Sequence, residues 1–223
     1  MEAVQRHLPP GTAEYVAGLF AAEPLEAAGM EVRVVGARRT KLGDHRGPQR
    51  GRAAHRITVN DDLNPYAFLT TLLHEIAHAV TWERHVRTRG RFVRRVLPHG
   101  PQWKREFGAI LEPVVAGGML PGDVSAALAN YLMNPRAATC SDRGLVVALS
   151  RYDAPDPGRV MVDEVPTGGE FRIEGRGTFL KGPKLRTRYR CYDARTGAEY
   201  RIHGLCRVVP CGTAGGTAAV PGQ

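Results

Sequence analysis

The sequence predicts an α+β protein: a mainly helical first part with a short β-hairpin, followed by a small antiparallel β module. Two observations carry this. Between residues 65 and 133 apolar side chains recur at three- and four-residue spacing, the period of helices with one buried face. After about residue 140 short alternating segments take over, punctuated by Gly, Pro and Asp, the texture of antiparallel strands. The boundaries expected from this change are 1–139 for the helical domain and 140–211 for the β-rich domain. The remainder, 212–223, is a Gly/Ala/Thr tail expected to be disordered.

Residues 12–28 read as a helix, with Thr12 at the N-cap position and Pro24 kinking or ending its first part. Residues 31–39 alternate around Val32, Val34 and Val35 and read as a strand. A Gly/Arg-rich loop runs from Lys41 to Ala54, and His55–Asn60 reads as a second strand, the two strands forming a hairpin with a long basic loop. Asn64 and Pro65 open the clearest helix, since Asn suits the N-cap and Pro the first helical position. Phe68, Leu69, Leu72, Leu73, Ile76, Ala77 and Val80 form its core-facing stripe. An arginine-rich connection occupies 84–98. Pro101 starts another helix, with Trp103, Phe107, Ile110 and Leu111 on one face. Pro121-Gly122 separates it from a third helix that runs through Met133 and stops at Pro135. Six β-like segments follow, at 159–165, 169–174, 177–181, 185–192, 198–203 and 205–209.

Composition narrows the class. With 43% hydrophobic and 24% charged residues in 223, the chain has apolar mass for a core and is no disordered polyelectrolyte. No apolar stretch approaches the roughly 20 residues of a membrane span. Met1 to Gly11 carries Glu2, Arg6, His7 and two prolines rather than an apolar signal region, so the expected location is the cytoplasm. Cys140, Cys191, Cys206 and Cys211 form no Cys-x-x-Cys pair, and the expected state is free thiols. The net charge of +9 and pI of about 9.8 favour a polyanionic partner, nucleic acid first, and with it association with the nucleoid.

The chemistry sits on the clearest helix. His74 and His78 are four residues apart, so both imidazoles leave one face a turn apart and can share a metal ion. Glu75 neighbours the first of them and can reach a water on that metal, the general-base arrangement of His-Glu-x-x-His peptidases. The same run arises by chance on helices. Here Leu72, Leu73, Ile76 and Ala77 bracket it, and burying two histidines and a carboxylate without partners would be costly. A catalytic zinc wants a third protein ligand. His85 returns to the same face but lies about 10 Å along the axis from His78, at 1.5 Å per residue. Thr81 and Arg84 exclude the metzincin spacing. His99, in Pro98-His99-Gly100-Pro101 after a reversing loop, is the stronger candidate. Glu106 and Glu112 are the gluzincin-type alternatives.

His74-Glu75-Ile76-Ala77-His78 followed by His99-Gly100-Pro101-Gln102-Trp103 resembles the SprT-like metallopeptidases, which include the Spartan-type proteases. Thr40-Lys41-Leu42-Gly43 and the run from Ile57 to Leu73 resemble that family's segment before the helix, and the likeness covers roughly residues 10–135. It implies a helical zincin-like metallopeptidase core, one catalytic Zn²⁺ held by His74, His78 and His99, and Glu75 as the base. It also implies a protein substrate associated with or crosslinked to DNA. Many members follow the core with a Cys-rich zinc ribbon. The four unpaired cysteines here suggest a degenerate ribbon or an unrelated β module.

Basic residues cluster in three runs: Arg38–Arg56, Arg84–Arg95 and Arg176–Arg190, the last with Phe179 and Tyr189 interleaved. The first two flank the proposed metal helix in sequence. Arg84, Arg87, Arg91, Arg94, Arg95, Arg186 and Arg188 are the candidate phosphate contacts. Two other readings remain: a non-catalytic nucleic-acid-binding protein with a structural zinc site, and a gluzincin-type peptidase unrelated to DNA.

Overall fold

Asn64 begins the helix around which the first part of the molecule is arranged. Its side-chain oxygen accepts from the backbone N–H of Tyr66 and Ala67 at 3.1 and 3.0 Å, and Pro65 occupies the first turn. This helix, α4 (Pro65–Thr81), continues into a π-helical turn over Trp82–Arg87. The computed structural model describes residues 2–38, 41–87, 96–133 and 142–211. Across these residues it is mixed α+β, with seven α-helices and two sheets. No helix among them is long and apolar enough to cross a membrane.

Before α4 come α1 (Glu2–Gln5), α2 (Ala13–Ala21) and α3 (Leu25–Ala28). Helix α1 is short and was not expected. The expected helix over 12–28 is broken at Pro24 as anticipated. Thr12 precedes α2 but does not cap it; its hydroxyl donates to the Pro9 carbonyl at 2.8 Å.

The hairpin needs correction. β1 (Met30–Val35) pairs with β3 (His55–Asn60) in parallel, and a third strand, β2 (Gly43–Arg46), pairs antiparallel with β3. The sheet order is β1-β3-β2. Strand β2 lies inside the segment read as loop, because four residues as polar as Gly-Asp-His-Arg carry no apolar alternation. Since β2 turns back along one edge of β3, β1 is left the other edge, where it runs parallel. Met30, Val32 and Val34 lie opposite His55, Ile57 and Val59 and share the face that packs with α4.

After α4, α5 (Pro101–Ala116) and α6 (Gly122–Leu132) lie where the apolar spacing placed them. Helix α7 (Arg143–Ser150) was not foreseen. Asp142 caps it, and Leu145 and Leu149, one turn apart, enter the same core as Phe68, Leu72 and Phe107. The Asn64 amide also donates to the Leu149 carbonyl and to Asp153, at 2.9 and 2.6 Å. For this reason the first unit is Met1–Ala154 rather than 1–139, and the second is Pro155–Gln223.

The second unit is an antiparallel sheet of six strands: β4 (Val160–Met161), β5 (Glu170–Ile173), β6 (Gly177–Lys184), β7 (Arg188–Asp193), β8 (Glu199–His203) and β9 (Arg207–Pro210). Their order is β4-β9-β5-β6-β7-β8. Val162, Val165, Phe171, Phe179, Tyr189, Cys191 and Val208 form its core. Lys181 is buried among them, its ammonium 3.9 Å from the centre of the Tyr189 ring and donating to the Asp163 and Val165 carbonyls. Cys191, Cys206 and Cys211 are free thiols and do not come together as a ligand group. Cys140 and the 212–223 tail lie outside the described residues.

Candidate metal centre

One turn of α4 and one loop build the site. His74 and His78 point from the same face of α4, their ring centres 5.0 Å apart. The loop before α5 brings His99 to them. Gly100 is the N-cap residue of α5 and Pro101 its first residue, so the chain turns into α5 directly behind His99. The Nε2 of His99 lies 3.2 Å from that of His74 and 3.0 Å from that of His78. Among the described residues this trio is the group of histidine, cysteine and acidic side chains able to hold a metal ion. The structure brings together the three histidines that the sequence singled out, in a cluster that could hold a metal ion.

Trp103, fully buried in the first turn of α5, forms one wall of the trio. Its ring centre lies 4.6, 5.4 and 4.8 Å from those of His74, His78 and His99, and it stacks on Phe107. Its apolar spacing marked it as core; its contact with all three imidazoles was not legible.

The electrostatics favour neutral rings. Burial lowers the His74 pKa to about 3, with His99 adding to the effect. Burial and the neighbouring histidines lower that of His78 to about 2, and burial lowers that of His99. Neutral imidazoles offer lone pairs, as metal binding requires. Three ring nitrogens brought this close suit a cation that takes all three lone pairs, and the donor set fits a metal ion on chemical grounds.

Glu75 is 8% exposed. Burial raises its pKa to about 8; nearby Asp44 adds to the rise, and Arg38 and Lys41 oppose it. Those three groups are themselves fixed. Arg38 donates to Asn60 and Thr58 at 2.8 and 2.9 Å, and Asp44 pairs with Lys41 and Arg46.

Strand β2 supplies what sequence reasoning missed. Its inward residues alternate against α4. A Cβ on Gly43 would lie 2.7 Å from Glu75 Oε1 and from Thr71 Cγ2, so glycine makes room for the carboxyl. The His45 ring runs parallel to that of His78, with ring centres 6.1 Å apart and planes 9° apart. Just beyond the strand, a Cβ on Gly47 would lie 3.1 Å from the Trp82 ring. The visible signal was the alternation Gly43-x-His45-x-Gly47, which reads as strand only once its partner is known.

The remaining candidates fall elsewhere. His85 does not join the trio; with Arg84 it holds Glu106, at 2.9 and 2.6 Å. Glu106 is therefore committed to that pairing, and Glu112 is exposed on α5. Arg87 pairs with Glu83. Arg91, Arg94 and Arg95 lie outside the described residues. Arg186 and Arg188 are exposed in the second unit. There the strand register sets Arg188 and Arg190 on one face with Arg201, His203 and Tyr192, and Arg172 shares that face. No protein-family model, curated protein or solved structure matches this chain.

Proposed function

We propose that the chain is a zinc-dependent endopeptidase of the SprT-like type, acting on proteins associated with or crosslinked to DNA. The observation that carries the reading is the convergence of His74, His78 and His99 next to a buried Glu75. Zinc–nitrogen bonds of about 2.0–2.1 Å at tetrahedral angles set ligand nitrogens about 3.3 Å apart. The separations of 3.0 and 3.2 Å are close to that spacing.

Bound there, zinc supplies a Lewis acid for the scissile carbonyl and a water of lowered pKa. Glu75 takes the proton of the attacking water and returns it to the amine that leaves. Gly43 keeps the volume beside Glu75 open. Strand β2 pairs only with β3 among the described residues, so its outer edge offers backbone groups to an extended substrate. A purely structural metal site has no use for a base beside its ligands, which favours the enzyme over a non-catalytic binding protein. The commitment of Glu106 to Arg84 and His85 favours His99 over the gluzincin-type alternative. Support for the nucleic-acid part comes from the basic face of the second unit.

The test is cleavage of casein and of a DNA-bound protein, with and without DNA, by the wild type and Glu75→Gln. Glu75→Gln should retain one zinc per chain and lose at least about 10²-fold in turnover. His99→Ala should lose the zinc. Equal activity in wild type and Glu75→Gln would sink the peptidase reading.

A further inference from the structure

A second set of buried polar side chains runs away from the metal centre. His45 Nε2 lies 2.8 Å from His55 Nδ1, and His55 Nε2 lies 2.9 Å from Glu83 Oε1. His55 is 0% and Glu83 2% exposed. The other oxygen of Glu83 meets Arg87. Glu83 stands on the π-helical turn that extends α4, a rare conformation that recurs at functional sites. At its other end the chain stops at the His45 ring, which lies parallel to that of His78.

The hydrogen bonds have one consistent direction when each ring carries one proton. Glu83, engaged with Arg87, accepts from His55 Nε2–H. His55 Nδ1 then has no proton and accepts from His45 Nε2–H. His45 is thereby held in one tautomer and one orientation. Such a chain has no evident stabilising purpose, since well-packed apolar residues usually do as well as a buried ionic network. Groups outside the ligand sphere that orient ligating histidines commonly set metal affinity.

We infer that Glu83, His55 and His45 form a positioning chain for His78, holding its ring in the observed orientation through the parallel ring of His45. The inference rests on the reading of His74, His78 and His99 as metal ligands. His45, His55 and Glu83 are positioning residues, and none contributes a ligand atom to the trio.

The experiment measures zinc affinity by chelator competition, and the visible spectrum of the cobalt(II)-loaded protein, for the full chain and for His45→Ala and Glu83→Gln. Both variants should bind zinc about tenfold more weakly, the lower end of the effect of removing a group that hydrogen-bonds directly to a ligand. Their cobalt bands should shift, a signature that general loss of stability does not produce. Circular dichroism identifies a variant that fails to fold; Glu83→Gln, nearly isosteric, then carries the test. Folded variants with wild-type zinc affinity and an unchanged cobalt spectrum would overturn the positioning chain and leave the metal centre intact. A wild type that binds no zinc would overturn both.

Discussion

Glu75 and the histidines around it are poised in opposite senses, and this sets how the metal-free protein responds to pH. Glu75 has its pKa raised from 4.5 to about 8, so folding takes up a proton there. That contribution is fully present below about pH 4.5 and is lost as pH rises through 8. Its size is about 5 kcal/mol at most, at about 1.4 kcal/mol per tenfold change in proton affinity. His45, His74 and His78 have pKa values lowered from 6.5 to about 4, 3 and 2, burial being the largest cause for each. Each destabilises the fold as pH falls below 6.5, because the unfolded chain then binds protons that the folded one refuses. Below 6.5 the lowered histidines outweigh the one raised carboxyl, and above it the Glu75 contribution continues to fall. The stability of the metal-free protein should therefore peak near about pH 6.5 and decline toward 8. Urea titrations in a chelator across this range measure it. Glu75→Gln should abolish the decline, and an unaltered decline would refute the assignment to Glu75.

At the scale of elements, β2 against α4 is the contact that turns a motif into a site. Residues 43 and 45 of the strand, with Gly47 just past its end, meet Glu75, His78 and Trp82 of the helix and its π-helical extension. Gly43→Ala places a methyl group against Thr71 Cγ2, which is stiff, as well as against Glu75. Overpacking of this kind costs about 1–3 kcal/mol. The expected result is a lower urea midpoint together with a fall in turnover larger than any fall in zinc affinity, because in the proposed mechanism the displaced group is the base rather than a ligand. Wild-type turnover in Gly43→Ala would show that the carboxyl needs no room on that side. The elements that escaped the sequence share a cause. Helix α7 has eight residues and β2 four, too few for a period to register, whereas α4 and α5 carry seventeen and sixteen.

The whole molecule carries +9, but its positive charge is not uniformly free. Arg38 is bound to Asn60 and Thr58, Arg84 to Glu106 and Arg87 to Glu83, so parts of the first two basic runs serve the fold. Among the described residues, the second unit sets Arg172, Arg188 and Arg201 exposed on one face, with Arg190 beside Glu199. If this face tracks phosphates, Arg188→Glu/Arg201→Glu should weaken DNA binding at every sequence. It should also make the dependence of log affinity on log salt shallower by about two, at about 0.9 per duplex phosphate contact. Fluorescence anisotropy at several salt concentrations reads both. A wild-type affinity that does not change with salt would remove the phosphate-contact idea.

The amino-acid order alone determined the helix carrying His74, Glu75 and His78 and its Asn64 cap, and it singled out His99 as the strongest candidate for a third partner. Helical period, capping and turn chemistry are local, and two histidines four residues apart on one helix need no distant information. The six β-like segments of the second unit were legible for the same reason. Only the tertiary structure decided that β1 runs parallel to β3, that α7 belongs with the first core, and that Trp103, Gly43 and His45 close around the site. It also decided that His55 and Glu83, 28 residues apart, meet in the interior. Which strand lies on which edge, and which ring meets which, follow from packing the apolar face of α4 against a sheet, a competition among distant residues that no local spacing records.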